Sequence, residues 1–136
     1  MKIIVCLDDN DGMLFNYRRQ SMDIVLRQRV CQITNGHTLW MNTYSAGQFS
    51  DFSEEIAVDE DFLEKALEDD YCFIEDADIS SYVSKVNTVI IYRWNRNYPQ
   101  DTRFPISLFS NKWRLSNTYD FIGHSHNRIT EEVYCL

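Results

Sequence analysis

The chain alternates short apolar runs with amphipathic stretches. Ile3 to Leu7 is a continuous apolar run that ends at a polar, glycine-containing turn over residues 8–12, which is typical of a strand buried on both faces. From Met22 to Ile33 the apolar residues recur at helical spacing, and Ser21 stands where an N-cap is preferred. The pattern therefore predicts a central strand, a turn and an amphipathic helix.

The remaining pattern predicts further strands separated by short helices. The predicted strands are Thr38–Met41, Ile56–Val58, Tyr71–Ile74, Val89–Trp94, Trp113–Leu115 and Ile129–Tyr134. The predicted helices are 45–49, 62–67 and 79–86. Ser45 and Gln48 form a capping-box pattern at the start of the first of these helices. Because strands alternate with helices early and a hairpin ends the chain, we predict a single α/β domain over residues 1–136. Its central sheet is expected to be mixed and mostly parallel, with helices on both faces.

Length, charge and cysteines narrow the class of protein. A chain of 136 residues with 44% hydrophobic positions fits one domain with its own core. The net charge of −8 makes nucleic acid an unfavourable partner, because an acidic surface repels phosphates. Four cysteines lie far apart without a Cys-x-x-Cys pair, which indicates reduced thiols and a cytoplasmic protein. The first apolar run is too short for a signal peptide or a membrane span, so no membrane partner is expected.

Two adjacent cations precede the predicted helix in this acidic chain. Arg18 and Arg19 lie close to a helix N-terminus, where they could bind an anionic small molecule such as a phosphate or carboxylate. The alternative is a solvated pair that bridges to Asp8, Asp9 or Asp11. The sequence leaves both interpretations open.

The histidines carry the one metal-like pattern of the sequence. His124 and His126 are spaced so that both can face one ion from an extended segment. A metal-dependent phosphodiesterase of the ribonuclease Z type needs a His-x-His-x-Asp-His cluster, and no Asp-His follows here. That activity is therefore a remote alternative, and no metal site is predicted.

A second basic and aromatic stretch surrounds Trp94 and Tyr98. Arginine interleaved with aromatic residues can stack on nucleic-acid bases, but the alternation over residues 91–96 also suits a hairpin at the edge of a sheet. If exposed, Trp94 and Tyr98 would suit a homodimer face.

Several segments together resemble the dihydrofolate reductase family. They are the strand and loop Val5–Phe15, the segment Leu39–Ser45, the turn Phe73–Ala77, and the segment Asp101–Pro105, which reads Asp-Thr-Arg-Phe-Pro. Leu39–Ser45 corresponds to the strand of the family that ends in Met-Gly-Arg-x-Thr. The last match is the most specific, because an Asp-Thr-x-Phe-Pro turn joins two strands in the family. The resemblance implies a dihydrofolate reductase-like fold of bacterial type, shortened in its middle.

The departures from the family pattern fall on its dinucleotide site. Glu75 and Asp76 stand where two glycines approach the cofactor pyrophosphate, and Thr43 replaces an arginine. A carboxylate about 4 Å from a phosphate costs about 4 kcal/mol at an effective dielectric near 20, against roughly 1 kcal/mol for each lost backbone hydrogen bond. The sequence therefore predicts no cofactor. Helix capping by these acids is the structural alternative.

The resemblance also places candidate site residues. Asp23 lies where the pterin-binding acid of the family falls, which makes it the candidate catalytic acid, with a pKa raised by burial. An ordinary acid in the first helical turn is the alternative. Trp40, Tyr44 and Tyr92 are predicted to line the same ligand cleft, with Arg18 and Arg19 at its rim; the alternative for the aromatics is core packing.

The leading hypothesis is a cytoplasmic protein that keeps a small-ligand cleft and has lost redox chemistry. The first alternative is an NAD(P)H-dependent reductase of a pterin-like substrate, which would use NADPH. The second is a protein-interaction module whose cleft is filled by its own aromatic side chains.

Overall fold

The strands and helices follow the predicted order, with additional short strands. The computed structural model describes residues 1–109, 111 and 113–136. Its strands are β1 Lys2–Leu7, β2 Gly12–Phe15, β3 Arg18–Arg19, β4 Leu39–Met41, β5 Ile56–Val58, β6 Tyr71–Ile74, β7 Thr88–Arg93, β8 Thr102–Arg103, β9 Arg114–Phe121 and β10 Ile129–Cys135. Its α-helices are α1 Ile24–Ile33, α2 Thr43–Ala46 and α3 Phe62–Lys65, and its 3₁₀ segments are Gly47–Glu55, Ser80–Lys85 and Ile106–Leu108.

The central sheet is mixed and mostly parallel, as predicted. Among the described residues, seven strands lie in the order β5-β4-β6-β1-β7-β10-β9. Strand β1 pairs in parallel with both β6 and β7, and β4 pairs in parallel with β5 and β6. The last two strands join by antiparallel pairing, β10 to β7 and β9 to β10. The carboxyl ends of β1, β4 and β6 therefore meet at one edge of the sheet.

Two apolar layers cover the faces of this sheet. On one face Leu26 and Val30 of α1 pack against Ile4 and Ile90 of the central strands. On the other face Ile3, Val5 and Leu7 pack with Phe62 of α3. The alternation of β1 between the layers is what a strand buried on both faces requires.

Both predicted helix caps are corrected by the structure. Helix α1 begins at Ile24, and its N-cap is Asp23, not Ser21. Helix α2 is capped by Asn42, whose side chain accepts a hydrogen bond from the Ser45 backbone N–H. The predicted Ser45/Gln48 capping box is therefore wrong, because the helix begins earlier, directly after β4.

A small second sheet, in the order β3-β2-β8, was not predicted. The turn between β2 and β3 contacts the Asp101–Pro105 segment. There the Asn16 backbone N–H donates a hydrogen bond to the Asp101 carboxylate at 3.0 Å. A further difference concerns β7, which lies between β1 and β10. The interpretation of residues 91–96 as a hairpin at the sheet edge is therefore wrong.

Two further predictions concern the oxidation state of the cysteines and the lack of a membrane span. Cys6, Cys72 and Cys135 carry free thiols, and Cys72 is buried, in agreement with the predicted reduced state of these three. In the described part of the chain, no helix combines the length and the apolar character needed to cross a membrane.

Candidate functional site

A cavity of about 330 Å³ opens at the carboxyl end of β6. Its walls are Met13, the segment Glu75–Ser80 and the segment Thr102–Pro105. Ligands of open α/β sheets bind outside the carboxyl ends of the parallel strands, where the chain connections diverge. The position of this cavity, at the end of a strand next to the central β1, therefore makes it the candidate ligand site.

Arg19 and Tyr44 contact each other beside Glu75, which lines the cavity. The Arg19 guanidinium donates two hydrogen bonds to Glu75, from Nε at 2.8 Å and from Nη2 at 3.1 Å. It also lies over the Tyr44 ring, 4.3 Å from the centroid. Burial lowers the pKa of Arg19, but the hydrogen bond and charge of Glu75 outweigh it and raise that pKa. The pair is therefore a fixed ion pair with one aromatic neighbour.

The remaining acids of the cavity turn toward neutral partners. Asp76 accepts a hydrogen bond from the Asn42 side-chain amide at 2.7 Å. Asp78 accepts from the Ser80 N–H at 2.9 Å and from its hydroxyl at 2.6 Å, which lowers the Asp78 pKa. Asp78 therefore holds the turn directly before the 3₁₀ segment Ser80–Lys85. The N-cap of that segment is Ile79, so capping by Asp78 is not observed. Asp76 and Asp78 both lie in the cavity wall.

Asp23 is buried, but its carboxylate is occupied by the protein itself. As N-cap it accepts from the Val25 N–H at 2.9 Å, and it accepts from the backbone N–H groups of His124 at 3.0 Å and Ser125 at 2.9 Å. The His126 Nδ1 lies 2.9 Å from its Oδ2. Burial pushes the Asp23 pKa upward, but these hydrogen bonds outweigh it and hold the pKa well below its ordinary value. The expected raised pKa is wrong.

His126 is a functional candidate that sequence reasoning did not select. Its Nε2 lies 2.9 Å from the Ser21 hydroxyl and 3.1 Å from the Tyr98 hydroxyl. Its ring stacks on Trp94 with centroids 4.5 Å apart, and Trp94 is 3% exposed. Trp94 is therefore buried, so the exposure on which the homodimer prediction depended is not met at Trp94. The sequence signals for this cluster were Asp23, considered as a ligand-binding acid, and the His124/His126 pair, considered as a metal site.

The metal interpretation has no structural counterpart. Among the described residues, no group of three or more histidine, cysteine or acidic side chains is arranged to hold a metal ion. His126 is buried and bound to Asp23, whereas the His124 contribution to the cluster is its backbone N–H.

Two predicted ligand residues lie away from the cavity. Tyr92 is fully buried in the layer under α1 and donates its hydroxyl to Glu131 at 2.8 Å. Trp40 donates its indole N–H to Asp70 at 3.0 Å, and Asp70 precedes β6. Tyr92 is therefore a core residue, and the Trp40 indole is directed toward the amino end of β6, away from the cavity.

Arg18 lines a second, shallower hollow. This hollow of about 310 Å³ is lined by Phe15, Asn16, Arg18, Arg19, Gln20, Tyr98 and Pro99. Ion pairs from Arg18 and Arg19 to Asp8, Asp9 or Asp11 were one of the two interpretations of the sequence. Arg19 instead binds Glu75. Asp11 is bound by Arg93 at 2.5 Å. Asp8 accepts from the Gly12 N–H at 2.8 Å and from the Gln20 side chain at 3.0 Å.

The architecture is similar to that of a solved dihydrofolate reductase from Enterococcus faecalis, complexed with NADP(H) and RAB-propyl. The similarity covers 98% of this chain and 94% of that chain, with a TM-score of 0.67 and 11% sequence identity. No protein-family model matches the chain, and no curated protein matches it. At this identity the similarity establishes the dihydrofolate reductase-like fold, as the sequence resemblance predicted, and nothing further.

Proposed function

We propose that this chain, which has a dihydrofolate reductase-like fold, is a small-molecule-binding protein that takes its ligand at the carboxyl end of β6 without a dinucleotide. The observation that carries the proposal is the acidic wall of the 330 Å³ cavity, formed by Glu75, Asp76 and Asp78. In dihydrofolate reductases, as the sequence resemblance implies, the segment that corresponds to these three acids approaches the pyrophosphate of the cofactor.

The charges of the cavity define the class of ligand. Glu75 is neutralised by Arg19, so Asp76 and Asp78 together exceed the single cation Arg103 of the lining residues. A phosphate within about 4 Å of either carboxylate is disfavoured by about 4 kcal/mol at an effective dielectric near 20. Met13, Ile79 and Phe104 supply apolar surface. The ligand favoured by this lining is a small apolar body with a cationic or hydrogen-bond-donating group.

An NAD(P)H-dependent reductase is the second candidate, favoured by the NADP(H) complex of the similar structure. That function would require the pyrophosphate to approach Glu75 and Asp76 and would require a pterin to reach Asp23. Asp23 instead caps α1, and its carboxylate is bound by residues 124–126.

The test is a pair of ligands with one shape and opposite charges. Benzamidine and benzoate each carry a planar group on a benzene ring, and backbone amide shifts in NMR titrations report where each binds. We expect benzamidine to shift the amides of residues 75–80 and 102–104, and benzoate to leave them unchanged. NADPH titrated by calorimetry is expected to give no saturable binding.

A charge-matched pair of variants tests the acidic wall. Asp76→Asn/Asp78→Asn is expected to weaken benzamidine binding at least 10-fold, because it removes both unneutralised carboxylates. Glu68→Gln/Asp69→Asn changes the net charge equally at a distant exposed site and is expected to bind as the wild type does. Equal shifts with benzoate would contradict the proposal. Saturable NADPH binding with a rise of several degrees in Tm would favour the reductase instead.

A further inference from the structure

Ser21, His126 and Asp23 form a continuous chain of hydrogen bonds. The Ser21 Oγ lies 2.9 Å from His126 Nε2, and His126 Nδ1 lies 2.9 Å from Asp23 Oδ2. The three residues come from the segment before α1 and from the loop between β9 and β10, which are about a hundred positions apart in the sequence. A hydroxyl, an imidazole and a carboxylate in this order are the geometric signature of an activated serine nucleophile.

The carboxylate fixes which imidazole nitrogen can act as a base. Asp23 is held in its ionised form, because the hydrogen bonds it receives outweigh burial and lower its pKa. An ionised carboxylate only accepts hydrogen bonds, so the proton of neutral His126 lies on Nδ1. Nε2 then carries a lone pair directed at Ser21. Stacking on Trp94 holds the ring in this orientation.

We propose that Ser21 is the nucleophile of an acyl-transfer site, with His126 as its general base and Asp23 as the residue that positions His126. This site is distinct from the cavity at β6 and does not depend on the ligand proposed there. The substrate class is a small activated ester, because Ser21 is only partly exposed and the hollow that it lines with Arg19 and Gln20 has a volume of only about 10 Å³. The ester therefore reaches Ser21 from its exposed side.

The chemistry balances as an ester hydrolysis. The Ser21 Oγ forms a bond to the ester carbonyl carbon while its proton passes to His126 Nε2, and the carbonyl oxygen becomes an oxyanion. The bond to the alcohol oxygen then breaks, and that oxygen takes the proton from Nε2. Water next attacks the acyl-serine and gives a proton to Nε2, and collapse releases the carboxylic acid and returns the proton to Ser21.

Tyr98 supplies a donor for the oxyanion. Its hydroxyl lies 3.1 Å from the same Nε2, and a single lone pair accepts one good hydrogen bond at a time. When Ser21 donates to Nε2, the Tyr98 O–H is therefore available to a negative oxygen that forms beside Ser21. Tyr98 also lines the hollow that contains Arg18 and Arg19.

The experiment uses the full chain with two reagents, a small fluorophosphonate and p-nitrophenyl acetate. Intact-mass and peptide analysis are expected to find a single phosphonyl adduct on Ser21. Ser21→Ala is expected to abolish labelling, whereas Ser116→Ala, on strand β9, labels as the wild type does. His126→Ala is expected to slow labelling about 100-fold or more, because a general base contributes on that order.

Chemical rescue by imidazole distinguishes a histidine that acts as a general base from one that has only a structural role. Imidazole added to His126→Ala is expected to restore at least 10-fold of the labelling rate without a change in Tm. Tyr98→Phe is expected to slow p-nitrophenyl acetate turnover more than it slows labelling. The proposal is overturned if the wild type is not labelled, if the adduct persists in Ser21→Ala, or if His126→Ala labels at the wild-type rate in a folded protein.

Discussion

Asp23 joins the start of α1 to the loop between β9 and β10 through one carboxylate. One oxygen caps the helix and accepts the His124 N–H, and the other accepts the Ser125 N–H and faces His126 Nδ1. Because every donor is supplied by the protein, the carboxylate is saturated. Asp23, which resembles a ligand-binding acid in the sequence, therefore links the start of α1 to the loop between β9 and β10 in the structure.

The substitution Asp23→Asn removes the negative charge of the side chain and keeps its shape, so it measures the contribution of the charge to stability. Asparagine caps helices about as well as aspartate, but an amide nitrogen would face an N–H donor of Ser125 or His126. Asp23→Asn is therefore expected to lower the free energy of unfolding by about 3 kcal/mol, in the range found when one partner of a buried pair is removed. Urea denaturation measures the change. Asp69→Asn, whose side chain is 85% exposed, is the control and is expected to change it by less than about 0.5 kcal/mol.

The same carboxylate gives a pH dependence with a definite sign. Its pKa is lowered on folding, so its stabilisation is complete above the unfolded-state value of about 3.9. The stabilisation is lost as the pH falls through the lower folded-state value. The wild type is expected to lose stability below about pH 4 more steeply than Asp23→Asn. Parallel acid-denaturation curves for the two proteins would contradict this role for Asp23.

At the scale of elements, the loop between β9 and β10 closes over the start of α1. The loop turns tightly where the Gly123 N–H donates to the His126 carbonyl at 2.9 Å. A Cβ at Gly123 would lie 2.5 Å from Asp23 Oδ2 and 3.0 Å from Ile129 Cδ1. The close approach of loop and helix therefore depends on the absence of a side chain at this position.

Adding one methyl group tests the contact. Gly123→Ala is expected to cost about 1–3 kcal/mol, since neither the anchored carboxylate nor the buried Ile129 can move freely. Gly47→Ala is the matched control, because no atom lies within 4 Å of its added Cβ and its φ of −57° suits alanine. The control is expected to be neutral or slightly stabilising. Equal stability of the two variants would mean that the loop shifts without cost.

At the scale of the whole molecule, the central sheet protects a buried thiol. Cys72 lies in β6 between β4 and β1 and is fully buried. Burial raises its pKa to about 12, so little thiolate forms at neutral pH. A variant with Cys72 as its sole cysteine is expected to react with a thiol reagent only through global unfolding, over 1,000-fold more slowly than a variant with only Cys135. Fast labelling of native Cys72 would show that the sheet opens locally.

Strand positions were predictable because their causes are local. β5 and β6 have the predicted bounds, β1 begins one residue earlier than predicted, and β7 is shifted by one residue toward the N-terminus, since apolar runs of this length fit buried parallel strands. The small second sheet escaped prediction because its strands are only two to four residues long and pair across the chain, as β2 does with β8. Short strands carry too few residues to show a period.

The site was only partly predictable. Arg19 and Tyr44 contact each other, whereas Tyr92 packs in the core. The Ser21–His126 contact was missed because no local pattern marks a hydrogen bond between residues 105 positions apart. Spacing can suggest a metal site for two histidines, but it cannot show that one of them is buried against an aspartate.

The sequence by itself determined the α/β class, the central apolar strand, the run of acids after β6 and the resemblance to a dihydrofolate reductase-like fold. These follow from periodicity, charge and short motifs, which act over a few residues. Only the tertiary structure decided the partners of Arg19, Asp23 and His126. Those partners depend on how loops from distant parts of the chain pack at the carboxyl edge of the sheet, because a polar side chain near that edge takes whichever complementary group folding brings within 3 Å.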